Sequence, residues 1–375
     1  MLIVSVVGAR PNFMKLGPVA KELASRRLRH VVVHTGQHYD GDMSDAFFRD
    51  LDLPHPDHHL AVGPGSHAFQ TAAVMQRLEP VLENLRPDLV LVYGDVNSTL
   101  GAALTAAKLG LRVGHVEAGL RSRDRTMPEE LNRIVTDRIA DLLFAPSDDA
   151  VDNLRAEGIA DEGVHLVGNV MIDTLCQALP RARTFEAPRR HGLEGRPYVV
   201  ATLHRPSNVD HAGTLRELLE TLRELGRSTP VLFPVHPRTQ ARMASLGLRG
   251  DGLRLCPPLG YVEMLGLVAS SSLVITDSGG LQEETTFLGI PCLTARPTTE
   301  RPITCTRGTN RLVPSRRTAL LTAARDALRR GPGPRPVIQW WDGRTAQRMV
   351  QVVCETVPAP RRSDPRVAVS LSASS

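Results

Sequence analysis

At 375 residues the chain is long enough for two domains, and its 42% apolar and 23% charged residues are those of an ordinary globular protein. No run approaches the roughly 18 consecutive apolar residues that suggest a membrane span, and the opening MLIVSVVGARPN lacks the basic flank and apolar length of a signal peptide. A net charge of +5 does not mark a nucleic-acid binder, because the basic residues are spread along the chain and aromatics, at 4%, are too few to stack on bases.

The pattern in chain order is a repeated alternation of short apolar runs and amphipathic stretches. LIVSVV reads as a strand leading into a helix from about Pro11. VVVHT, DLVLVYG with STLGAALTAAKLG after it, RVGHVE, DLLFAPS and VHLVGN continue the alternation. Such β–α repetition predicts an α/β protein with a parallel sheet covered by helices on both faces. The Arg/Pro-rich stretch 179–197 is the expected linker. The alternation then restarts with YVVATLH, followed by TLRELLETLREL, whose Leu215, Leu218, Leu219, Leu222 and Leu225 share one helical face. VLFPVHP, RLCPPL, LVITDSGG with a helix beyond it, and PCLTA complete a second half. Two Rossmann-like domains facing a cleft are therefore expected, residues 1–178 and 198–340, with ligands at the strand C-terminal ends. Residues 358–375 read as a disordered tail.

Cys176, Cys256, Cys292, Cys305 and Cys354 are scattered without a C-x-x-C pair. They read as isolated thiols of a reducing compartment, so a cytoplasmic location is expected. Lys15, Lys21 and Lys108 are the only lysines among 45 basic residues. His55, His58 and His59 stand at a spacing that metals use, but the flanking prolines argue for a surface loop, and no metal is expected.

Five strand ends carry chemistry. In GARPNFMKLGPV, Gly8 permits a tight turn, Pro11 suits the first helical position, and Arg10 and Lys15 bring cations to a helix N-terminus. The residues alone allow either an anion grip or an ordinary solvated first turn. VYGDVNST places Asp95 just past a buried strand, where a helix N-cap is the simpler reading. ATLHRPSNVD and FPVHPRT put His204 with Arg205, and His236 with Arg238, at cleft-facing ends, a pairing suited to a polyanion. ITDSGGLQEE is more specific. Ser278, Gly279 and Gly280 let backbone amides approach a phosphate before a helix beginning near Leu281, and Glu284 sits one turn in, able to accept from ribose hydroxyls.

The densest stretch is HVEAGLRSRDRTMPEELNR, residues 115–133, which crowds carboxylates and arginines behind a strand end. Together with GARPNFMK, TGQHYD, YGDVNST, VGN, TLHRPSN, PVHPR, TDSGGLQEE and RPTTERP, in this order, it resembles the non-hydrolysing UDP-N-acetylglucosamine 2-epimerases over roughly residues 1–355. The resemblance implies a two-domain fold of the glycosyltransferase-B type, with a helix at about 341–357 crossing back onto the first domain, and a homodimer. It also implies epimerisation at C2 without metal or nicotinamide, through loss of UDP to 2-acetamidoglucal and its re-addition. By motif match Asp95, Glu117 and Glu129 would be the catalytic carboxylates, with His204 beside them. Arg10, Lys15, Ser278, Gly279 and Gly280 would hold the diphosphate and Glu284 the ribose, with Arg133 and His236 as further contacts. On this reading the charges of 115–133 serve different parts of one substrate rather than neutralising each other.

Three departures bear on detail. Ser207 and Ile303 stand where many relatives carry Glu, which touches the choice of sugar. After Gln37-His38 the run Tyr39-Asp40-Gly41-Asp42 leaves activation by substrate open. A modified UDP-2-acetamido sugar, a hydrolysing 2-epimerase and a glycosyltransferase of the same fold remain the alternatives.

Overall fold

The structure is a computed structural model that describes residues 1–37, 51, 53 and 55–357. Within these residues the first parallel sheet holds β1 (Leu2–Val7), β2 (Arg29–His34), β3 (His58–His59), β4 (Leu89–Tyr93), β5 (Val113–Val116), β6 (Leu142–Ala145) and β7 (Val164–Leu166), in the order β3-β2-β1-β4-β5-β6-β7. The second holds β8 (Val199–Thr202), β9 (Val231–Pro234), β10 (Arg254–Cys256), β11 (Leu273–Thr276), β12 (Cys292–Ala295) and β13 (Asn310–Val313), in the order β10-β9-β8-β11-β12-β13. Each order reverses once, between β1 and β4 and between β8 and β11. At such a switch point the connecting segments part and leave a crevice beyond the strand ends.

The strands form where the sequence is continuously apolar, because helices cover both faces. All six residues of LIVSVV are buried. Ser5 is tolerated there because its hydroxyl meets the Tyr93 hydroxyl at 2.8 Å and His30 Nε2 at 2.8 Å. Two strands escaped the sequence reading. The His58–His59 pair, expected in a surface loop, is hydrogen-bonded to the edge of the first sheet. Asn310–Val313, with an exposed Arg311, closes the far edge of the second. The predicted leucine face is real: all five leucines are buried on the helix Ala212–Gly226, each contributing about 1.5–3 kcal/mol.

The stretch 179–197 is not plain linker. Its start completes the helix Val170–Thr184, and Ala187–Arg190 forms a short helix of its own. Near the end of the described chain the helix Thr345–Thr356 buries Met349, Val350 and Val353 against the helices Arg10–Ser25 and Val170–Thr184. Asp173 caps it from outside, accepting the amides of Thr345 at 3.0 Å and Ala346 at 2.8 Å. The outgoing and returning segments touch at Gly168, whose φ is 93°. A Cβ there would lie 2.1 Å from the Trp340 carbonyl oxygen, so only glycine fits. Residues 38–43, Pro54 and the tail 358–375 lie outside the described residues.

Candidate active site

A cavity of about 530 Å³ opens between the strand ends of the two sheets. Arg10, Lys15, Asp95, Glu129 and Arg133 line it from the first sheet's side; His204, Arg205, His236, Ser278, Gly279, Gly280, Glu283, Glu284, Glu300 and Arg301 line it from the second. All the predicted site residues are thus gathered at one place, with one qualification. Glu117 is not on the cavity surface but stands behind it.

On the first side β4 runs into Gly94-Asp95. Asp95 is not the helix cap that the local pattern favoured, since Val96 occupies that position. Its carboxylate instead faces the cavity and accepts from Arg133 Nη1 at 2.5 Å. The helix Pro128–Ile139 starts on a proline whose missing N–H costs nothing there, and its first turn presents two carboxylates with different fates. Glu130 folds back, accepting the amides of Ser122 at 2.9 Å and Arg123 at 2.8 Å and pairing with Arg133 at 2.6 Å. The Glu129 side chain makes no hydrogen bond or ion pair among the described residues and lines the cavity. The charges of 115–133 therefore do partly neutralise each other. Arg133 is buried between Asp95 and Glu130, while Arg121 is held by Asp137 and Glu157.

Glu117 follows β5 with φ at 75°, a left-handed conformation that an L side chain adopts only under constraint. The constraint is visible: its amide and that of Ala118 both donate to the Phe144 carbonyl at 3.1 Å. Both carboxylate oxygens are engaged, Oε2 by the buried ammonium of Lys15 and Oε1 by Arg301 Nη2 at 3.0 Å. Lys15 thus carries a carboxylate rather than standing open to a phosphate. Gly94 makes room for the pair, because a Cβ at that residue would lie 2.7 Å from Lys15 Nζ. Burial works against the charge of Glu117, but the two cations hold its carboxyl below the usual range.

On the second side, His204 stands two residues past the end of β8. Its Nδ1 pairs at 2.8 Å with Asp277, a wholly buried carboxylate that also accepts the amides of His204 at 3.0 Å and Arg205 at 2.9 Å and the side chain of Asn208 at 3.1 Å. With Nδ1 held, Nε2 is the nitrogen left for chemistry. The His236 ring lies 5.6 Å from that of His204 and accepts the Arg238 amide through Nδ1 at 3.2 Å. Ser278 is the N-cap of the helix Gly279–Leu288, which begins two residues earlier than predicted, so both glycines are its first residues. This places a helix N-terminus, whose free amides and dipole favour negative charge, on the cavity wall. Inside the same helix Glu284 accepts from the Tyr261 hydroxyl at 3.0 Å, and burial pushes its carboxyl up to about 7.

Sequence reasoning did not assign Asp277, Tyr261, Glu283, Glu300 or Arg301. Arg301 meets Glu283 at 2.8 Å, Glu300 at 2.5 Å and Glu117, and Glu300 is also held by Arg296 at 2.8 Å. Burial pushes Glu283 up to about 7, while three guanidinium groups keep Glu300 well below the usual carboxylate range despite its burial. The only sequence signal for this cluster was its place in TDSGGLQEE and RPTTERP. Of the departures, Ser207 is exposed and Ile303 buried, and neither lines the cavity.

Unpaired and paired carboxylates thus face a histidine, a guanidinium and a glycine-rich helix N-terminus across one cavity. Such a set can move protons on one side of a ligand while holding an anionic group on the other. No helix among the described residues is long and apolar enough to cross a membrane.

The family model for UDP-N-acetylglucosamine 2-epimerase matches residues 21–354. A UDP-N-acetylglucosamine 2-epimerase homolog of Methanococcus maripaludis is 43% identical over 86% of this chain and 91% of its own length. A UDP-2,3-diacetamido-2,3-dideoxy-D-glucuronate 2-epimerase of Pseudomonas aeruginosa is 42% identical over 88% and 92%. The crystal structure of Methanocaldococcus jannaschii UDP-GlcNAc 2-epimerase, in complex with UDP-GlcNAc and UDP, superposes with a TM-score of 0.88 at 37% identity, covering 95% of this chain and all of that one. With its two parallel sheets facing a cleft, the chain belongs to the UDP-N-acetylglucosamine 2-epimerase family, and it is an isomerase.

Proposed function

We propose that the protein interconverts UDP-N-acetylglucosamine and UDP-N-acetylmannosamine by inverting C2, without releasing free sugar. The observation that carries this reading is the division of the cavity: Asp95 and Glu129, with Glu117 behind them, stand opposite His204 and the Ser278-Gly279-Gly280 turn. The C2–H of a sugar nucleotide is not α to a carbonyl, so enolisation is not available. Anti elimination avoids the difficulty: the C1–O bond to UDP breaks as a carboxylate takes the C2 proton, leaving 2-acetamidoglucal. A proton then arrives at C2 from the opposite face, and UDP re-forms the C1–O bond. Carboxylates and His204 serve the proton transfers. Arg10 and the amides at Ser278–Gly280 steady the departing diphosphate, and Glu284 accepts from the ribose. A closed cleft keeps the glycal and UDP together.

Residues 1–178 with the crossing helix at about 341–357 form the first domain on this reading, and 198–340 the UDP-binding domain. A homodimer is part of it, supported by exposed Leu131 and Val135 one turn apart on the helix Pro128–Ile139. A second reading, a UDP-2-acetamido sugar with a carboxylate or further acetamido group, has support of its own. The Pseudomonas relative is named for such a sugar, and Arg205 lines the cavity with only a 3.6 Å approach to Glu300.

Incubation with UDP-N-acetylglucosamine in D₂O, followed at C2 by proton NMR, tests the proposal. Deuterium at C2 with UDP-N-acetylmannosamine is the expected result. Free N-acetylmannosamine would assign hydrolysis instead, and exchange only with the glucuronate analogue would favour the second reading.

A further inference from the structure

One of the carboxylates that the elimination reading calls on, Glu117, is held from both halves of the chain. Glu117 is 5% exposed, lies behind the cavity wall, and has both oxygens engaged. The two engagements differ in kind. Lys15 comes from the helix Arg10–Ser25, which packs on the same sheet as Glu117. Arg301 comes from the loop after β12, in the second half of the chain, and reaches across the cleft. It is itself held on its own side by Glu283 and Glu300, so its position is set by the second half. At the rim the halves are also linked by Arg307 and Asp148 at 2.6 Å, both partly exposed.

We propose that Arg301 is a positioning residue for Glu117: it reads the closure of the cleft by fixing Oε1 from the opposite half. This rests on the elimination reading above. Three groups form the mechanical link. The helix Gly279–Leu288, whose N-terminus faces the diphosphate on that reading, carries Glu283; Glu283 and Glu300 hold Arg301; and Arg301 holds Glu117. A shift of that helix on nucleotide binding is thereby transmitted to the carboxylate.

The charges around Glu117 come from every element packed on it. Lys15 and Arg301 touch it, Glu283 repels it from the second half, and Asp95 and Glu300 act with them on the same Arg301 guanidinium. Among the described residues, removing Arg301 leaves Lys15 as the only contacting cation against these carboxylates, so the proton affinity of Glu117 must rise.

The test uses the full chain as wild type, Arg301→Gln and Arg301→Lys. Carboxyl-¹³C NMR of glutamate-labelled protein, with the Glu117 resonance assigned through Glu117→Gln, follows its titration. C2 exchange in D₂O and UDP affinity are measured alongside. For Arg301→Gln the Glu117 midpoint is expected to rise by about one pH unit or more, carrying the acid limb of kcat with it. Exchange is expected to fall about 30-fold or more while UDP affinity stays within about threefold, because the Arg301 guanidinium is already engaged by Glu283, Glu300 and Glu117. Arg301→Lys is expected to recover the midpoint and most of the rate. An unmoved Glu117 midpoint would overturn the proposal, as would parallel losses of rate and UDP affinity with an unmoved acid limb. If Arg301→Gln fails to fold, Arg301→Gln with Glu283→Gln removes the stranded charge and gives the same readouts. A wild type that shows no C2 exchange, but whose Glu117 midpoint depends on Arg301, would sink the proposed reaction and leave the role of Arg301 standing.

Discussion

The ends of β4 and β11 occupy equivalent places in their sheets, each beside the strand where the order reverses, and each places an aspartate just past the strand. The two aspartates have opposite fates. Asp277 is wholly buried, accepts two amides and an asparagine, and orients His204. Asp95 faces the cavity and has a single guanidinium for company. The difference lies in the turn that leaves each strand. After β11 the chain enters a helix almost at once through two glycines, which brings the helix N-terminus to the cavity and leaves the aspartate inside. After β4, Gly94 takes φ 66° with Lys15 Nζ against it, and Asp95 turns outward to the cavity. Topology supplies two strand ends at one cavity; the turn residues decide which of the two aspartates is buried and which faces it.

That contrast can be broken from either side. The largest effect is expected from Asp95→Asn or Glu117→Gln, each lowering C2 exchange by about 10²–10⁴-fold with UDP affinity preserved. If either kept more than a tenth of the wild-type rate, the acid–base wall would lie elsewhere. Asp277→Asn should cost about 10–100-fold by releasing His204 Nδ1. Its signature is that the double variant with His204→Ala is no slower than His204→Ala alone. Gly94→Ala forces a side chain into the left-handed region against Lys15 Nζ. A loss of about 1–3 kcal/mol in stability is expected, read from chemical denaturation.

A pH experiment sharpens the comparison more gently. Glu283 and Glu284 have folded carboxyls near 7, raised from about 4.5 by burial. Protonation therefore favours the folded state, with the benefit complete below about pH 4.5 and lost as pH rises through about 7. Glu117, Glu300 and Asp277, held low, lose their stabilising share only in stronger acid. Ligand-free Tm should rise as pH is lowered from 8 to about 5.5, and Glu284→Gln should remove about half of that rise. A pH-independent Tm in both proteins would contradict the assignment. The smallest effect is expected at the rim, where Arg307→Ala should change kcat less than about twofold, because an exposed pair contributes little.

Much of this was legible beforehand, and the reasons are local. A buried parallel strand must be apolar along its length, so LIVSVV and LVITDSGG declared themselves, as did the leucine face of Ala212–Gly226. Two histidines at an edge, or Asn310–Val313 with its arginine, carry no such periodicity; hydrogen bonds to a neighbouring strand make them strands. Asp95, His204 and the Ser278–Gly280 turn could be singled out because each stands near a strand end in a motif of its own, and Glu129 because MPEELNR matches the family's motif.

By itself, the sequence determined which residues stand at the mouths of two parallel sheets, since strand ends and turns are set by neighbours in the chain. Tertiary structure alone decided how those residues share charge. Arg301 lies 184 residues from Glu117 in sequence, and Tyr261 lies 23 from Glu284. Ion pairs in a low-dielectric interior depend on distances of a few ångströms between groups that no local pattern relates. Only the fold, by bringing the halves face to face, could place one guanidinium among three carboxylates and set Glu117 behind the wall.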